Sequence, residues 1–366
     1  MRNSFKEMEM LIQQFEDKGL SHYSYAVLSE GEIALIDPAR DPAPYYAFAA
    51  QHRARITAVL ETHSHADFVS SHREVAAETG APVFVSESMK AAFPHTAVRE
   101  GDRLKLGRVS FRVLYTPGHS FDSVCFLLEG PDGKEHALFS GDTLFIGDVG
   151  RPDLRENIQD DPATRETLAL AMYRTIMEKL RELNDDILVY PAHGAGTLCG
   201  KSLSEASSST IGAERAGNYA FRIREKDVFV KVLLEEQPFV PKYFSYDVEL
   251  NRRGAPALGE ALQKIPRLES HRSFEEGIPV IDARPKDQFR ENHLKGAFNI
   301  QDGLKFETWL GSVLGPGEKF YLIAGSSEQV GTLLRKIAKI GYEGNIAGTL
   351  AGLSGKHETA GGDLPA

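Results

Sequence analysis

Apolar positions in the first part of the chain gather into short, β-branched runs broken by Gly, Pro and Asp, the pattern of strands and turns rather than of long helices. Tyr23 to Asp37 reads as two strands around a Ser29-Glu30-Gly31-Glu32 turn. Ile56 to Leu60 reads as a strand ending at the loop Thr62-His63-Ser64-His65-Ala66-Asp67-Phe68. Ser71 to Thr79 is expected as a helix stopped by Gly80, followed by a strand at Pro82 to Ser86. A hairpin over Leu104 to Tyr115, turning at Gly107, runs into Thr116-Pro117-Gly118-His119-Ser120. Strands at Ser123 to Leu128 and Ala137 to Ser140 flank Gly130-Pro131-Asp132-Gly133, and the second closes on Gly141-Asp142-Thr143. Leu168, Met172, Ile176, Leu180 and Leu183 give Pro162 to Leu183 helical spacing, and a strand at Ile187 to Tyr190 leads into Pro191-Ala192-His193-Gly194. Four strand ends thus carry His, His, Asp and His.

Beyond Glu214 the pattern is mostly helical to about Gln237, and Pro238 to Pro256 reads as an irregular crossing segment. A second unit follows, with strands at Pro279 to Arg284 and Lys319 to Ala324 and helices at Lys286 to Asn292 and about Gln329 to Ile340. Alternating strands and helices predict a small α/β domain with a parallel sheet. The expected division is a first domain over 1–245, a linker over 246–269, a second domain over 270–352 and a flexible tail over 353–366.

Composition narrows the function classes. With 366 residues, 42% hydrophobic and 26% charged, the chain suits two soluble globular domains. A formal charge of -10 opposes a sequence-independent hold on nucleic acid. No stretch has the apolar length of a membrane span, and the amino terminus lacks the apolar core of a signal peptide, so a cytoplasmic location is expected. Cys125 and Cys199 are too few for a disulfide framework, which fits a reducing compartment.

His63, His65, Asp67, His119, Asp142 and His193 all follow strands, and imidazole with carboxylate is a donor set for borderline metals such as iron and zinc. Their order resembles that of the metallo-β-lactamase superfamily, whose His-x-His-x-Asp-His loop builds two adjacent metal sites. Here Phe68 stands where the last histidine of that loop would be, and a phenyl ring cannot coordinate. The resemblance covers about residues 8–235 and is closest to the persulfide dioxygenases. Many of those enzymes keep His at this position, and a subgroup fused to rhodanese domains has Phe. The resemblance implies an αββα sandwich, with one Fe(II) per chain held by His63, His119 and Asp142. His65 and Asp67 would then orient the ligands from behind, and His193 would meet substrate or water.

The same resemblance gives Arg151, in Gly150-Arg151-Pro152-Asp153, the role of binding the carboxylate of the thiol carrier, usually glutathione. It offers Arg215 as a weaker candidate for structure or substrate. Cys199, close to His193 in sequence, is a candidate to approach or carry the persulfide sulfur, against the alternative of a buried, inert thiol. Cys125 lies inside an apolar strand and reads as core.

Asp282-Ala283-Arg284, Phe289 and His293-Leu294-Lys295-Gly296-Ala297-Phe298-Asn299-Ile300 resemble rhodanese domains, over about residues 270–352. A rhodanese passes sulfur through a cysteine placed after the strand that here is Phe320 to Ile323, and this chain has Ala324-Gly325-Ser326-Ser327 there. No cysteine follows Cys199, so this domain has no nucleophile for sulfur transfer. Roles compatible with its loss are scaffolding, shaping the substrate entrance, self-association into a homo-oligomer and docking of a sulfurtransferase partner.

The expected activity is therefore oxidation of a low-molecular-weight persulfide by O2 and water to thiol and sulfite. The alternatives are a glyoxalase II-like metal-dependent thioester hydrolase and a non-catalytic sulfur-binding protein.

Overall fold

Two sheets of six strands each form the first domain of the computed structural model, which describes residues 10–155, 164–201 and 203–353. The first sheet runs in chain order through β1 (Leu11–Asp17), β2 (His22–Ser29), β3 (Glu32–Ile36), β4 (Arg55–Leu60), β5 (Val83–Ser86) and β6 (Thr96–Val98). Its first three strands pair antiparallel and the rest parallel. The β2–β3 hairpin turns on Glu30 and Gly31, both left-handed at φ 50° and 77°, the geometry that matches strand twist in a two-residue loop. The second sheet comprises β7 (Arg103–Leu106), β8 (Val109–Tyr115), β9 (Val124–Glu129), β10 (Glu135–Gly141), β11 (Leu188–Pro191) and β12 (Ser209–Thr210). Only β10 and β11 pair in parallel there.

Three apolar layers follow from this stacking. Tyr25, Val27, Leu60, Phe111, Phe126 and Phe139 interdigitate between the sheets. Outside the first sheet, α1 (Ala43–His52) and α2 (His72–Thr79) bury Tyr45, Phe48 and Val75. Outside the second lie α3 (Arg165–Arg174), α4 (Ile211–Gly217), α5 (Tyr219–Arg222) and α6 (Lys226–Leu234). The apolar stripe expected from Leu168 to Leu183 is present, but the α-helix ends at Arg174 and the stripe continues through a π turn and a 3-10 turn. Its expected start at Pro162 lies outside the described residues. The architecture is the αββα sandwich of the metallo-β-lactamase fold.

The segment expected as an irregular crossing is instead a helix, α7 (Phe244–Arg253), followed by α8 (Leu258–Gln263). Pro241 and Pro256 lie outside both helices, and Phe244, Asp247, Val248 and Asn251 fall on one buried face at i, i+3, i+4 and i+7. The second domain's sheet has the order β13-β17-β16-β14-β15, parallel throughout. Its strands are β13 (Arg267–Leu268), β14 (Val280–Asp282), β15 (Phe298–Asn299), β16 (Phe320–Ala324) and β17 (Ile346–Ala351). β13 begins inside the expected linker. Helices α9 (Lys286–Glu291), α10 (Phe306–Val313) and α11 (Ser327–Ala338) complete this rhodanese-like domain. The expected tail lies, after residue 353, outside the described residues.

One apolar cluster joins the domains. It takes Leu20, Ala66, Phe68, Phe145 and Cys199 from the first domain, Tyr243 at the cap of α7 with Phe244 and Val248 inside it, and Leu310, Leu333 and Ile337 from the second. Ion pairs cross the same boundary: Arg40 to Glu343 at 3.0 Å, Arg335 to Asp41 at 2.8 Å and Lys339 to Asp17 at 2.7 Å. No described helix is long and apolar enough to cross a membrane.

Candidate metal centre

β4, β8 and β10 end at one edge of the sandwich, and the loops that follow them bring His63, His119 and Asp142 together. One donor atom from each lies within 4.8 Å of the others, and all three residues are buried. His63 Nε2 and His119 Nε2 stand 3.9 and 3.6 Å from Asp142 Oδ2. Metal–nitrogen bonds of about 2 Å put the donors around one ion roughly 3 to 3.5 Å apart, so a small contraction closes the set on a cation. Both Asp142 oxygens are buried, with the Cys199 thiol and His193 Nε2 among their polar neighbours. Burial pushes this carboxyl up to about 6, and the neighbouring Asp67 adds to the rise, against the pull of His193. A bound cation removes that penalty by pairing with the carboxylate.

The other ring nitrogen of each histidine is held from behind. Thr62 Oγ1 lies 3.0 Å from His63 Nδ1 and donates to Asp37 Oδ2 at 2.8 Å, while Asp37 Oδ1 accepts the Thr62 amide at 2.7 Å. His119 Nδ1 lies 2.9 Å from the Arg151 carbonyl. These partners put the proton on Nδ1 and leave each Nε2 lone pair facing the cluster.

His65 faces away from this set. Its Nε2 is 3.1 Å from Asp37 and 3.4 Å from Glu61, which also accepts from Ser70 Oγ at 2.7 Å. Burial alone would lower its basicity, but Asp37 and Glu61 outweigh it and hold His65 well above the ordinary histidine range. With Asp37 and Glu61 it forms a further buried group of donors within 4.8 Å of one another. His193 Nε2 sits 3.4 Å from both Asp67 Oδ2 and Asp142 Oδ1, with its Nδ1 3.2 Å from the Ser21 carbonyl. Cys199 joins Asp67 and His193 in a second buried group of donors within 4.8 Å. Burial, then Asp67 and Asp142, push its thiol well up.

Phe68 fills the place of the missing ligand with an apolar contact. Its ring lies 3.8 Å from His22 and 4.3 Å from His65, centroid to centroid, and belongs to the cluster that joins the domains.

Arg151 is buried at 1% exposure, and three of its five guanidinium N–H groups are bonded within the chain. It grips Asp153 with two bonds of 2.7 and 2.5 Å and donates to the Leu198 carbonyl at 3.1 Å. Arg215 binds Asp185 and the carbonyls of Arg181 and Leu183, contacts that brace the 181–185 turn. Cys125 is core, bonded to Thr116.

Three contributors escaped the sequence reading. Asp37 and Thr62 lie at strand ends like the ligands, and that position was the available signal. Asn251 on α7 clamps the metal loop: its Nδ2 donates to the His65 and Phe68 carbonyls at 2.9 and 2.8 Å, and its Oδ1 accepts the Ser70 amide at 2.9 Å. Only the helical spacing of Phe244, Val248 and Asn251 hinted at it.

Residues 17–193 match the metallo-beta-lactamase superfamily and residues 267–352 match the rhodanese-like domain. Hydroxyacylglutathione hydrolases of Francisella tularensis subsp. novicida and Francisella philomiragia subsp. philomiragia are 34% and 33% identical over 180 residues, 49% of this chain. The chain spans 65% of the length of those relatives. A metallo-beta-lactamase structure from Staphylococcus aureus subsp. aureus COL is 32% identical with a TM-score of 0.82, covering 94% of this chain and 99% of that one. ETHE1 from Myxococcus xanthus is 26% identical with a TM-score of 0.56, covering 66% of this chain and 98% of that one. A shared sandwich, a buried His/Asp cluster at its strand ends and agreement along nearly the whole chain place this protein in the metallo-beta-lactamase superfamily, with a rhodanese-like domain following.

Proposed function

We propose that the protein is a mononuclear Fe(II) persulfide dioxygenase that oxidises glutathione persulfide or a similar small persulfide. The observation that carries this reading is the division of the loop's donors. His63, His119 and Asp142 converge on one point, whereas His65 is committed to Asp37 and Glu61 and position 68 is phenylalanine. Two histidines and one carboxylate are the donor set of non-haem Fe(II) oxygenases, which leaves coordination positions free for substrate and O2. The similarity to ETHE1 supports the same reading.

The overall change is RSSH + O2 + H2O to RSH, sulfite and two protons. The outer sulfur loses four electrons and O2 takes up four. Iron held by His63, His119 and Asp142 would supply the activation of O2. The chain's own groups do the rest: Thr62 and Asp37 fix the His63 ring, the Arg151 carbonyl fixes His119, and His193, 3.4 Å from Asp142 through its Nε2, would meet the substrate and take its proton.

Metal analysis after anaerobic purification, followed by oxygen uptake and sulfite release on glutathione persulfide, tests the proposal. Iron with one O2 consumed per sulfite is expected, and zinc with no oxygen uptake overturns it. The similarity to hydroxyacylglutathione hydrolases favours a second reading, thioester hydrolysis. Hydroxyacylglutathione turnover without oxygen consumption would establish that instead.

A further inference from the structure

A narrow cavity of about 60 Å³ reaches Asp67, which stands beside His193 at the metal cluster. Its walls are Leu20, Leu198, Tyr243 and Phe244, with Thr197 and, from the second domain, Lys305 and Thr308. A cavity of this size holds roughly four water-sized groups, enough for the sulfur end of a small thiol derivative but not for a tripeptide. The body of a carrier such as glutathione must therefore lie outside, against the residues at the cavity's rim.

Lys305 occupies that rim. It precedes α10, is half-buried, and donates from Nζ to the Gly196 carbonyl at 2.9 Å, so the second domain touches the loop that carries His193 and Cys199. An ammonium has three donors, and one is used here. Neighbouring cations of the second domain are paired: Arg335 with Asp41, Lys336 with Asp302, and Lys339 with Asp17 and Glu307. Among the described residues no carboxylate pairs with Lys305. Thr308, one turn into α10, adds a hydroxyl on the same wall, and the α10 amino terminus adds positive potential. Arg151, by contrast, is buried and spends three of its five N–H donors on Asp153 and the Leu198 carbonyl.

We propose that Lys305, carried by the cysteine-less second domain, is the specificity-determining cation that selects anionic substrates at the mouth of the metal centre. The chemical class is a thiol derivative whose carboxylate or other anionic group lies a few bonds from the reacting sulfur. The choice of persulfide as that derivative rests on the function proposed above, and the selection for negative charge does not. The second domain then acts as one wall of the active site.

The test compares wild type with Lys305→Glu, Lys305→Gln and Lys305→Arg, and with Lys295→Glu as a control for net charge at an exposed position of the same domain. Steady-state kinetics on glutathione persulfide and on uncharged ethyl persulfide are paired with calorimetric titration of glutathione into each protein as purified. Lys305→Glu should raise KM for glutathione persulfide at least tenfold, with kcat within twofold and KM for ethyl persulfide unchanged. Lys305→Arg should recover most of the loss, and glutathione affinity should fall in parallel. Equal effects on both substrates, an unchanged KM, or the same loss in Lys295→Glu would overturn the proposal. If wild type oxidises neither persulfide, the dioxygenase reading fails while the titration still decides the role of Lys305: affinity lost in Lys305→Glu supports it, and equal affinity overturns it.

Discussion

Replacing Phe68 by alanine separates two meanings of that residue, a vacant ligand position and an apolar anchor. The ring is 1% exposed, packs on His22 at 3.8 Å and His65 at 4.3 Å, and shares a cluster with Tyr243, Phe244 and the second domain's core. A buried phenylalanine removes about 150 to 250 Å² from water, and truncation to alanine in such a setting costs about 3 to 5 kcal/mol including the cavity left behind. Against a total stability of about 5 to 15 kcal/mol this is a large share. At roughly 2 to 4 °C per kcal/mol for domains of this size, the melting transition should fall by about 6 to 20 °C. Because the cavity opens in the cluster shared by both domains, differential scanning calorimetry should also show the transition broadening or splitting as the domains uncouple. Phe68→His tests the other meaning, since it restores a ligand type without rearranging His22 and His65. Plasma emission analysis should still find one metal per chain, with stability reduced by the buried and poorly paired imidazole. A loss below about 1 kcal/mol in Phe68→Ala, or a second metal bound in Phe68→His at full stability, would refute the anchor argument.

Three further outcomes are expected. His63→Ala should purify with less than about a tenth of the wild-type metal while keeping its far-ultraviolet circular dichroism, because the ring contributes one of three ligands and little to the core; unchanged metal content would remove His63 from the ligand set. Asn251→Ala leaves the His65 and Phe68 carbonyls and the Ser70 amide without a partner, which at about 1 to 3 kcal/mol per orphaned group predicts a loss of at least 3 kcal/mol by chemical denaturation and weaker metal retention, and a neutral result would refute the clamp. Asp247 is fully buried with both oxygens unpaired, and burial, then Asp67 and Glu343, hold its carboxyl well above the usual range. The folded state therefore keeps this proton after the unfolded chain has released it near 3.8, so stability falls as pH rises from there toward the folded value. Asp247→Asn should melt higher than wild type, by a margin that widens between pH 4 and pH 7; a margin independent of pH would contradict the assignment.

The first domain was legible because its strands are short and end in Gly, Pro and chemically distinctive residues. β4, β8, β10 and β11 lie within a residue or two of the runs read from the sequence, and the residues after them carry His63, His119, Asp142 and His193. α7 was not legible, because Pro241, Gly254 and Pro256 flank a helix of only ten residues whose stability comes from packing Phe244, Val248 and Asn251 against the metal loop. Arg151 shows the same limit from the other side. The sequence supplies a guanidinium in a suggestive motif, and only the fold reveals that Asp153, two residues later, holds two of its N–H groups.

By itself, the chain determined which donor types exist, that position 68 cannot bind a metal, and that the second domain lacks a thiol nucleophile, because these are properties of side chains wherever they lie. Only the tertiary structure decided which donors meet. It turned His65 onto Asp37 and Glu61, placed Cys199 beside Asp67 and His193, and brought Lys305 from more than a hundred residues away to the carbonyl of Gly196. The physical reason is range: coordination, ion pairing and desolvation act over a few ångströms, and proximity on that scale between distant segments is created only when the apolar cluster around Phe68 and Tyr243 closes.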